Sequence, residues 1–211
     1  MKTFKLLSMM MLIAIIASFS SCKKKGCMDP NSFTFNPEAK KDDGSCTSPE
    51  AIKKSLIFKK TATWCPYCGD WGVSYSTDIT NAHANCQVIA LHGDSEFENT
   101  VGNNLMDALP SSGWPHFFAG TQDISNSYYE LNSAVNAELG KSIEVAMAIE
   151  KTTAGSTMNV RVQSQWLGSI DGEFYLAVYV LEDGQVAEQQ IAGASSDPNF
   201  VHKNVLRAEA Y

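Results

Sequence analysis

The stretch that decides the fold is Ser55–Cys68, which reads SLIFKKTATWCPYC. Its first part, residues 55–63, has an apolar centre and β-branched residues, which predicts a buried strand. The motif WCPYC follows at residues 64–68, and the residues from Asp70 to about Ala84 are compatible with a helix. A CxxC placed between a strand and a helix is typical of a redox-active cysteine pair.

Cys65 has a physical reason to ionise in this position. At the start of a helix the unpaired backbone N–H groups and the helix dipole stabilise a thiolate, and the thiolate is the attacking species in thiol chemistry. Pro66 suits the first helical turn because it has no N–H to lose. Cys68 lies one turn further on, where it can resolve a mixed disulfide. We therefore predict Cys65 and Cys68 as the catalytic residues.

The residues after this motif predict that 50–140 form one α/β domain. Residues 87–91 (QVIAL) form a second buried strand, residues 113–118 (GWPHFF) lead into a third, and residues 120–123 (GTQD) can turn a hairpin. Ser125–Leu139 has the apolar spacing of a closing helix. The predicted order of elements is β-α-β-α-β-β-α.

This arrangement resembles the thioredoxin fold, and the Pro-Tyr dipeptide of WCPYC is the one that glutaredoxins carry. The resemblance implies that Pro115 is the cis-proline that packs beside the cysteine pair and helps bind a substrate backbone. It also implies that Trp64 and Trp114 wall the substrate site and that His116 flanks it. Plain core packing is the alternative role for the two tryptophans, and both roles are compatible.

One position departs from the thioredoxin pattern. Thioredoxins have a buried acid six residues before the first cysteine, and this chain has Lys59 there, followed by Lys60. A cation near Cys65 would favour its thiolate, but it cannot act as a carboxylate base. Either the proton moves through water or another group, or exchange is slow.

A zinc site is the alternative use of the cysteine motif. Four residues are spaced along the chain as zinc ligands often are, namely Cys65, Cys68, His83 and Cys86. A single helix over 66–82 would hold the two pairs about 25 Å apart, too far to share an ion whose bonds are about 2.0–2.3 Å long. We therefore predict no metal and no other cofactor, with Cys86 as a buried apolar thiol.

The N-terminus has the features of an export signal. Residues 1–21 combine a basic start, an apolar run and small residues before Cys22, as secretory signals do. The segment resembles a bacterial lipobox, with Phe19 in place of the usual leucine, which implies cleavage before Cys22 and lipidation of that cysteine. Ordinary cleavage that leaves Cys22 as a free thiol is the alternative. A lipid would anchor the protein without a spanning helix.

Residues 22–49 are predicted to be the lipidated N-terminus followed by a disulfide-closed linker. Turn-forming residues leave little room for regular structure here. In an exported protein the cysteines that bracket the segment, Cys27 and Cys46, are expected to form a structural disulfide. Three aspartates of the segment could ligate calcium, but their spacing fits no EF-hand loop, and we favour solvated acids at turns.

Residues 141–211 predict a second domain made of β-strands. Apolar alternation marks strands at 142–152 and 157–166, and strongly β-forming residues follow at 173–181 and 185–192. This spacing is typical of an antiparallel β-sandwich. Because the segment contains no cysteine, we expect it to carry no thiol chemistry of its own.

Together, the CxxC domain, the β module and the tail HKNVLR (residues 202–207) resemble the twenty-eight-kilodalton outer-membrane lipoprotein family of Bacteroidetes. In that family more strands usually follow the tail, so the sandwich is expected to be incomplete or the product truncated. The family implies a place in the cell envelope. The basic triplet Lys23–Lys25 favours the periplasmic face of the outer membrane, because cations favour an anionic leaflet and the surface-export signals of Bacteroidetes lipoproteins are acidic just after the cysteine.

Composition excludes some classes of function and leaves two candidates. The chain has 211 residues, is 44% hydrophobic and carries a formal net charge of -7, so it can bury a core and lacks the basic character of a nucleic-acid binder. The leading function is a lipid-anchored thiol–disulfide oxidoreductase whose partners are the thiols and disulfides of exported proteins. The alternative is a non-catalytic binding or structural lipoprotein in which the CxxC is a static disulfide.

Overall fold

The computed structural model of the protein describes residues 23–93, 96–169 and 171–210. The predicted export signal and the lipidation site Cys22 lie outside the described residues. Across those three ranges, no helix has the length and apolar content needed to span a membrane.

The described residues contain ten strands and four helices. In chain order the strands are β1 (Ser55–Thr61), β2 (Cys86–His92), β3 (His116–Ala119), β4 (Gln122–Ser125), β5 (Val145–Ala154), β6 (Thr157–Trp166), β7 (Val178–Glu182), β8 (Gln185–Gln189), β9 (Asp197–His202) and β10 (Val205–Ala210). The helices are α1 (Pro66–Gly69), α2 (Trp71–Ala82), α3 (Thr100–Ala108) and α4 (Tyr128–Leu139).

The largest sheet has six strands in the order β4-β3-β1-β2-β10-β7. β1 runs parallel to β2 and antiparallel to β3, and β10 lies parallel to the other edge of β2. β5 with β6, and β8 with β9, form separate two-stranded sheets. The mixed α/β class and the additional antiparallel pairs are thus confirmed. The predicted element order over 50–140 is present, with the helix after the CxxC interrupted at Asp70.

Apolar side chains are buried on both faces of β1, because helices cover the sheet on both sides. On one face, Ile57 packs in a cluster with Ile79 of α2 and Leu131 of α4. On the other face, Phe58 packs in a cluster with Met106 of α3. This two-sided burial positions the end of β1, and the CxxC that follows it, within the core of the domain.

The C-terminal half differs from the separate sandwich that we predicted for 141–211. β7 and β10 join the large sheet, and the described residues within 51–146 and 166–210 form one compact unit. Val205 pairs with Ala90 of β2, and the side chains of Val205 and Leu206 are buried. Burying these apolar side chains favours the pairing of β10 with the edge of β2. The spacing of strands along the sequence does not specify this pairing.

Residues 23–50 and 147–165 belong to a second compact unit. Its N-terminal segment is closed by the predicted disulfide, with the Cα atoms of Cys27 and Cys46 4.7 Å apart. The three aspartates of this segment accept hydrogen bonds from the backbone N–H two residues ahead, as in Asx turns. They are Asp29, Asp42 and Asp43.

Replacing both Cys27 and Cys46 with serine should lower the free energy of unfolding of residues 27–46 by about 3 kcal/mol, because the cross-link no longer restricts the unfolded segment. The backbone N–H groups of Asn36 and Ala39 are hydrogen-bonded within the segment, and their hydrogen exchange should accelerate about 100-fold. Exchange in β1 serves as the internal control and should not change. Unaltered exchange at Asn36 would show that the turns hold the segment unaided.

Candidate active site

Cys65 and Cys68 lie just beyond the carboxyl end of β1 and form a disulfide, with their Cα atoms 5.2 Å apart. Cys65 is the N-cap of α1, and its sulfur accepts a hydrogen bond from the Cys68 N–H at 3.2 Å. Pro66 occupies the first turn of α1. A backbone donor at the start of the helix therefore faces the Cys65 sulfur.

Pro115 follows a cis peptide bond with Trp114 and immediately precedes β3. His116 pairs with Lys60 in the antiparallel register of β3 and β1. The Trp114–Pro115 turn therefore lies beside the end of β1 from which the cysteine motif begins. A Cβ added to Gly72 would lie 2.8 Å from Pro115 Cγ, so the proline ring also packs closely against the start of α2.

An open groove of about 310 Å³ lies beside the cis-proline and is lined by Tyr67, Trp114 and Pro115 among others. The Trp64 ring lies 5.9 Å from the Trp114 ring, and Trp114 packs against the buried cysteine pair. Trp64 is 42% exposed and Tyr67 is 57% exposed. Three of the predicted substrate-binding residues are thus brought together around the cysteines, and Tyr67 joins them although its position was not singled out from the sequence.

His116, the fourth predicted substrate-binding residue, lines the same groove but is buried. Its Nε2 lies 2.7 Å from Asp123 Oδ1, and its ring centroid lies 4.9 Å from that of Phe118. The structure therefore places this imidazole in the floor of the groove, held by a carboxylate. Nearby, Lys60 Nζ lies 5.4 Å from the centroid of the Trp114 ring, a cation–π distance.

Gln189, which the sequence did not single out, holds the cysteine loop (residues 62–65). It ends β8 and is only 2% exposed. Its Nε2 donates toward the carbonyl oxygens of Ala62, Thr63 and Cys65, at 3.3, 3.1 and 3.0 Å. Buried carbonyls without a donor are costly, so this one amide fixes the course of the loop that carries Cys65. A glutamine in a β-forming run gives no sequence signal of such a role.

The chain after Gln189 continues this contact, and we call residues 189–192 the clamp segment. The Gln190 N–H donates to the Thr63 carbonyl at 2.9 Å, and the Ala192 N–H donates to the Pro66 carbonyl at 3.1 Å. Gly69 permits the approach, because a Cβ at this position would lie 2.4 Å from the Gln190 carbonyl oxygen. The C-terminal half of the chain is therefore part of the cysteine site.

Behind the cysteine pair lies a cavity of about 330 Å³. Four chemically active side chains line it, each from a different element: Cys68 of α1, Lys59 of β1, His92 of β2 and His202 of β9. All four are buried. Gln189 and His202 bring the β8–β9 hairpin into the wall of the cavity, so this hairpin encloses space beneath the CxxC.

The cavity concentrates nitrogen bases. Burial lowers the pKa of Lys59 from 10.5 to about 8. Burial, and then the nearby His202 and Lys59, lower the pKa of His92 to about 3, and burial also lowers the pKa of His202. Among the described residues that line the cavity, none is a carboxylate. Burial therefore disfavours the protonated form of each base, and basic neighbours add to this effect for the two histidines.

The remaining candidates for the zinc site have other surroundings. His83 is the C-cap of α2, and its Nε2 lies 2.7 Å from Asn132 Oδ1. Cys86 is a buried free thiol at the start of β2, and burial raises its pKa to about 11, so its thiolate is disfavoured at neutral pH. Over the described residues, no three or more His, Cys, Asp or Glu side chains are grouped to hold a metal ion.

Fold and site together define a mixed α/β protein with a six-stranded sheet and a disulfide-bonded CxxC at a helix N-cap. Its structure is similar to that of HBP35 of Porphyromonas gingivalis, with 15% sequence identity and a TM-score of 0.62. The similarity covers 77% of this chain and 58% of that chain, so this chain spans less than two thirds of its neighbour's length. At this identity the likeness concerns the fold.

A second solved structure, protein AGR_C_4864 from Agrobacterium tumefaciens, has 14% identity and a TM-score of 0.41, over 77% of this chain and 73% of that chain. This score is too low to support an argument about either fold or function. No family model matches the chain, and no curated protein matches it.

Proposed function

We propose that this protein is a lipid-anchored thiol–disulfide oxidoreductase of the thioredoxin fold, acting on protein disulfides in the cell envelope. The observation that carries the proposal is the Cys65–Cys68 pair at a helix N-cap, beside the cis-proline Pro115. The element order around the pair and the similarity to HBP35 support the fold.

In the proposed reaction, the Cys65 thiolate of the reduced protein attacks one sulfur of a substrate disulfide. The substrate S–S bond breaks, the other sulfur leaves as a thiolate, and a mixed disulfide forms. Cys68 then attacks Cys65 Sγ and releases the substrate thiol. The exposed rings of Trp64 and Tyr67 offer apolar surface to the polypeptide around the substrate cysteine. The backbone at Pro115 aligns that polypeptide beside the sulfur atoms.

The envelope location rests on the export-signal pattern of residues 1–21 and on the resemblance of residues 50–208 to Bacteroidetes outer-membrane lipoproteins. The similar fold of a Porphyromonas gingivalis protein agrees with that resemblance. The two disulfides, Cys27–Cys46 and Cys65–Cys68, also favour an oxidising compartment such as the periplasm. The proposed partners are therefore exported proteins with exchangeable disulfides.

A non-catalytic binding or structural lipoprotein with a static CxxC is the second candidate function. The observation in its favour is burial, because Cys65 is 2% exposed and Cys68 is 1% exposed. Structural disulfides of secreted proteins have reduction potentials below about -300 mV, whereas catalytic ones are more oxidising. The measured potential of the Cys65–Cys68 pair therefore separates the two candidates.

The Cys68→Ser variant is expected to accumulate mixed disulfides with envelope proteins, because Cys65 can still attack but nothing resolves the product. Partners would be captured in cells, separated without reductant and identified by mass spectrometry. The double variant Cys65→Ser/Cys68→Ser is the matched control and should capture nothing. Absence of insulin reduction by the wild type, together with a potential below about -300 mV, would refute the enzyme.

A further inference from the structure

Resolution of a mixed disulfide requires Cys68, a buried thiol, to lose a proton. Cys68 is 1% exposed, and it lines the cavity behind the cysteine pair. A thiol must become a thiolate before it attacks. Whatever accepts this proton must therefore face the same cavity, directly or across the water that the cavity can hold.

Few side chains that line the cavity can accept a proton, and these few differ in pKa and in exposure. His92 of β2 has a pKa near 3, too low to take a proton from a thiol. The pKa of His202 of β9 is also lowered. Lys203 lies on the exposed rim. The α2 side chains that line the cavity are hydroxyls, an amide and a valine, and no described lining residue is an acid.

Lys59 remains, and its properties fit the task. Its pKa of about 8 leaves part of the amine unprotonated near neutral pH, and a neutral amine can accept a proton from a thiol. Its burial has no evident structural benefit, because a buried amine with no carboxylate among its cavity neighbours destabilises a fold. A residue kept at such a cost at the redox site suggests a functional use.

We propose that the Lys59 amine is the general base that deprotonates Cys68 when the mixed disulfide is resolved. In this step neutral Lys59 takes the Cys68 proton, and the Cys68 sulfur forms a bond to Cys65 Sγ. The bond between Cys65 Sγ and the substrate sulfur breaks, and the substrate leaves as a thiolate. The Cys65–Cys68 disulfide and protonated Lys59 remain. The inference rests on the proposed oxidoreductase function.

The test isolates the step with an aromatic disulfide, 5,5′-dithiobis(2-nitrobenzoate), as oxidant. Reduced protein should release one thionitrobenzoate when Cys65 attacks and a second when Cys68 resolves, so stopped-flow absorbance follows both steps. In Lys59→Met, we expect the second phase to slow about 100-fold at neutral pH. The rise of its rate through about pH 8 should also disappear. Lys54→Met, an exposed lysine just before β1, is the matched control.

Lys59→Arg distinguishes proton transfer from simple charge stabilisation. Arginine keeps the positive charge but does not deprotonate, so its second phase should be as slow as that of Lys59→Met. A wild-type second phase in either variant would overturn the proposal. A higher melting temperature of Lys59→Met than of the wild type at pH 7 would confirm that its slow phase is not caused by misfolding.

The same experiment keeps the two proposals apart. If wild-type protein shows both phases and both Lys59 variants slow the second, the general base stands even when insulin and envelope proteins are not substrates. If Lys59→Met melts below the wild type, Lys59→Arg decides the question through its pH profile. A profile for Lys59→Arg that still rises through about pH 8 would assign the base to another group.

Discussion

Gly69→Ala is expected to destabilise the protein by about 3 kcal/mol, the upper part of the range for forcing extra atoms into a packed site. The new methyl carbon would lie 2.4 Å from the Gln190 carbonyl oxygen and 2.8 Å from Gln189 Cγ. The nearest of these atoms belongs to the backbone, so rotation of a side chain cannot relieve the overlap. Alanine gains about 1 kcal/mol over glycine in a helix, which is too little to compensate.

The loss should extend to the redox site, because moving the clamp segment breaks its hydrogen bonds to the Thr63 and Pro66 carbonyls. Urea unfolding measures the stability, and the potential of the Cys65–Cys68 pair measures the effect on the site. Gly168→Ala is the control, since a Cβ there meets nothing within 4 Å, and it should change stability by less than about 0.5 kcal/mol. Equal stability of the two variants would mean that the clamp segment can move away from residue 69 without loss of stability.

The sequence specifies the first half of the fold because its signals are local. An apolar run ending in WCPYC predicts β1 and α1 from neighbouring residues, and the observed strand, Ser55–Thr61, begins where predicted and ends two residues earlier. β10 has a weaker strand pattern, VLRAEA, and it lies between β7 and β2, the latter more than a hundred residues away along the chain. Alternation predicts that a strand exists and does not predict which strand it joins. The predicted separate sandwich was drawn from local pattern alone.

The residues of the candidate site also divide into those that local motifs predict and those that only the structure reveals. Cys65, Cys68 and Pro115 belong to motifs whose spacing carries chemistry, and the structure brings them to one end of β1. Gln189 and His202 reach the site through the β8–β9 hairpin, which no short motif marks. Lys59 lies between these two cases. Its position in a buried strand predicts burial, but only the structure shows that it shares a cavity with Cys68.

The protein should lose stability steeply as pH falls below 6.5, chiefly because of His92. Burial and the nearby His202 and Lys59 lower the His92 pKa to about 3 in the folded state, against 6.5 for an ordinary histidine. The unfolded chain therefore binds a proton between these two values while the folded protein does not. The stabilisation from keeping His92 neutral is fully present above pH 6.5. It is lost by about 1.4 kcal/mol per pH unit as pH falls toward 3.

Urea unfolding of the wild type at pH 7, 6 and 5 should follow this slope, with His202 adding to it in the same direction because its pKa is also lowered. His92→Gln should remove most of the dependence, since glutamine does not titrate. His83→Gln is the control, because that side chain is partly exposed at the end of α2, and it should keep the wild-type slope. A slope that survives in His92→Gln would place the acid-sensitive group outside the cavity.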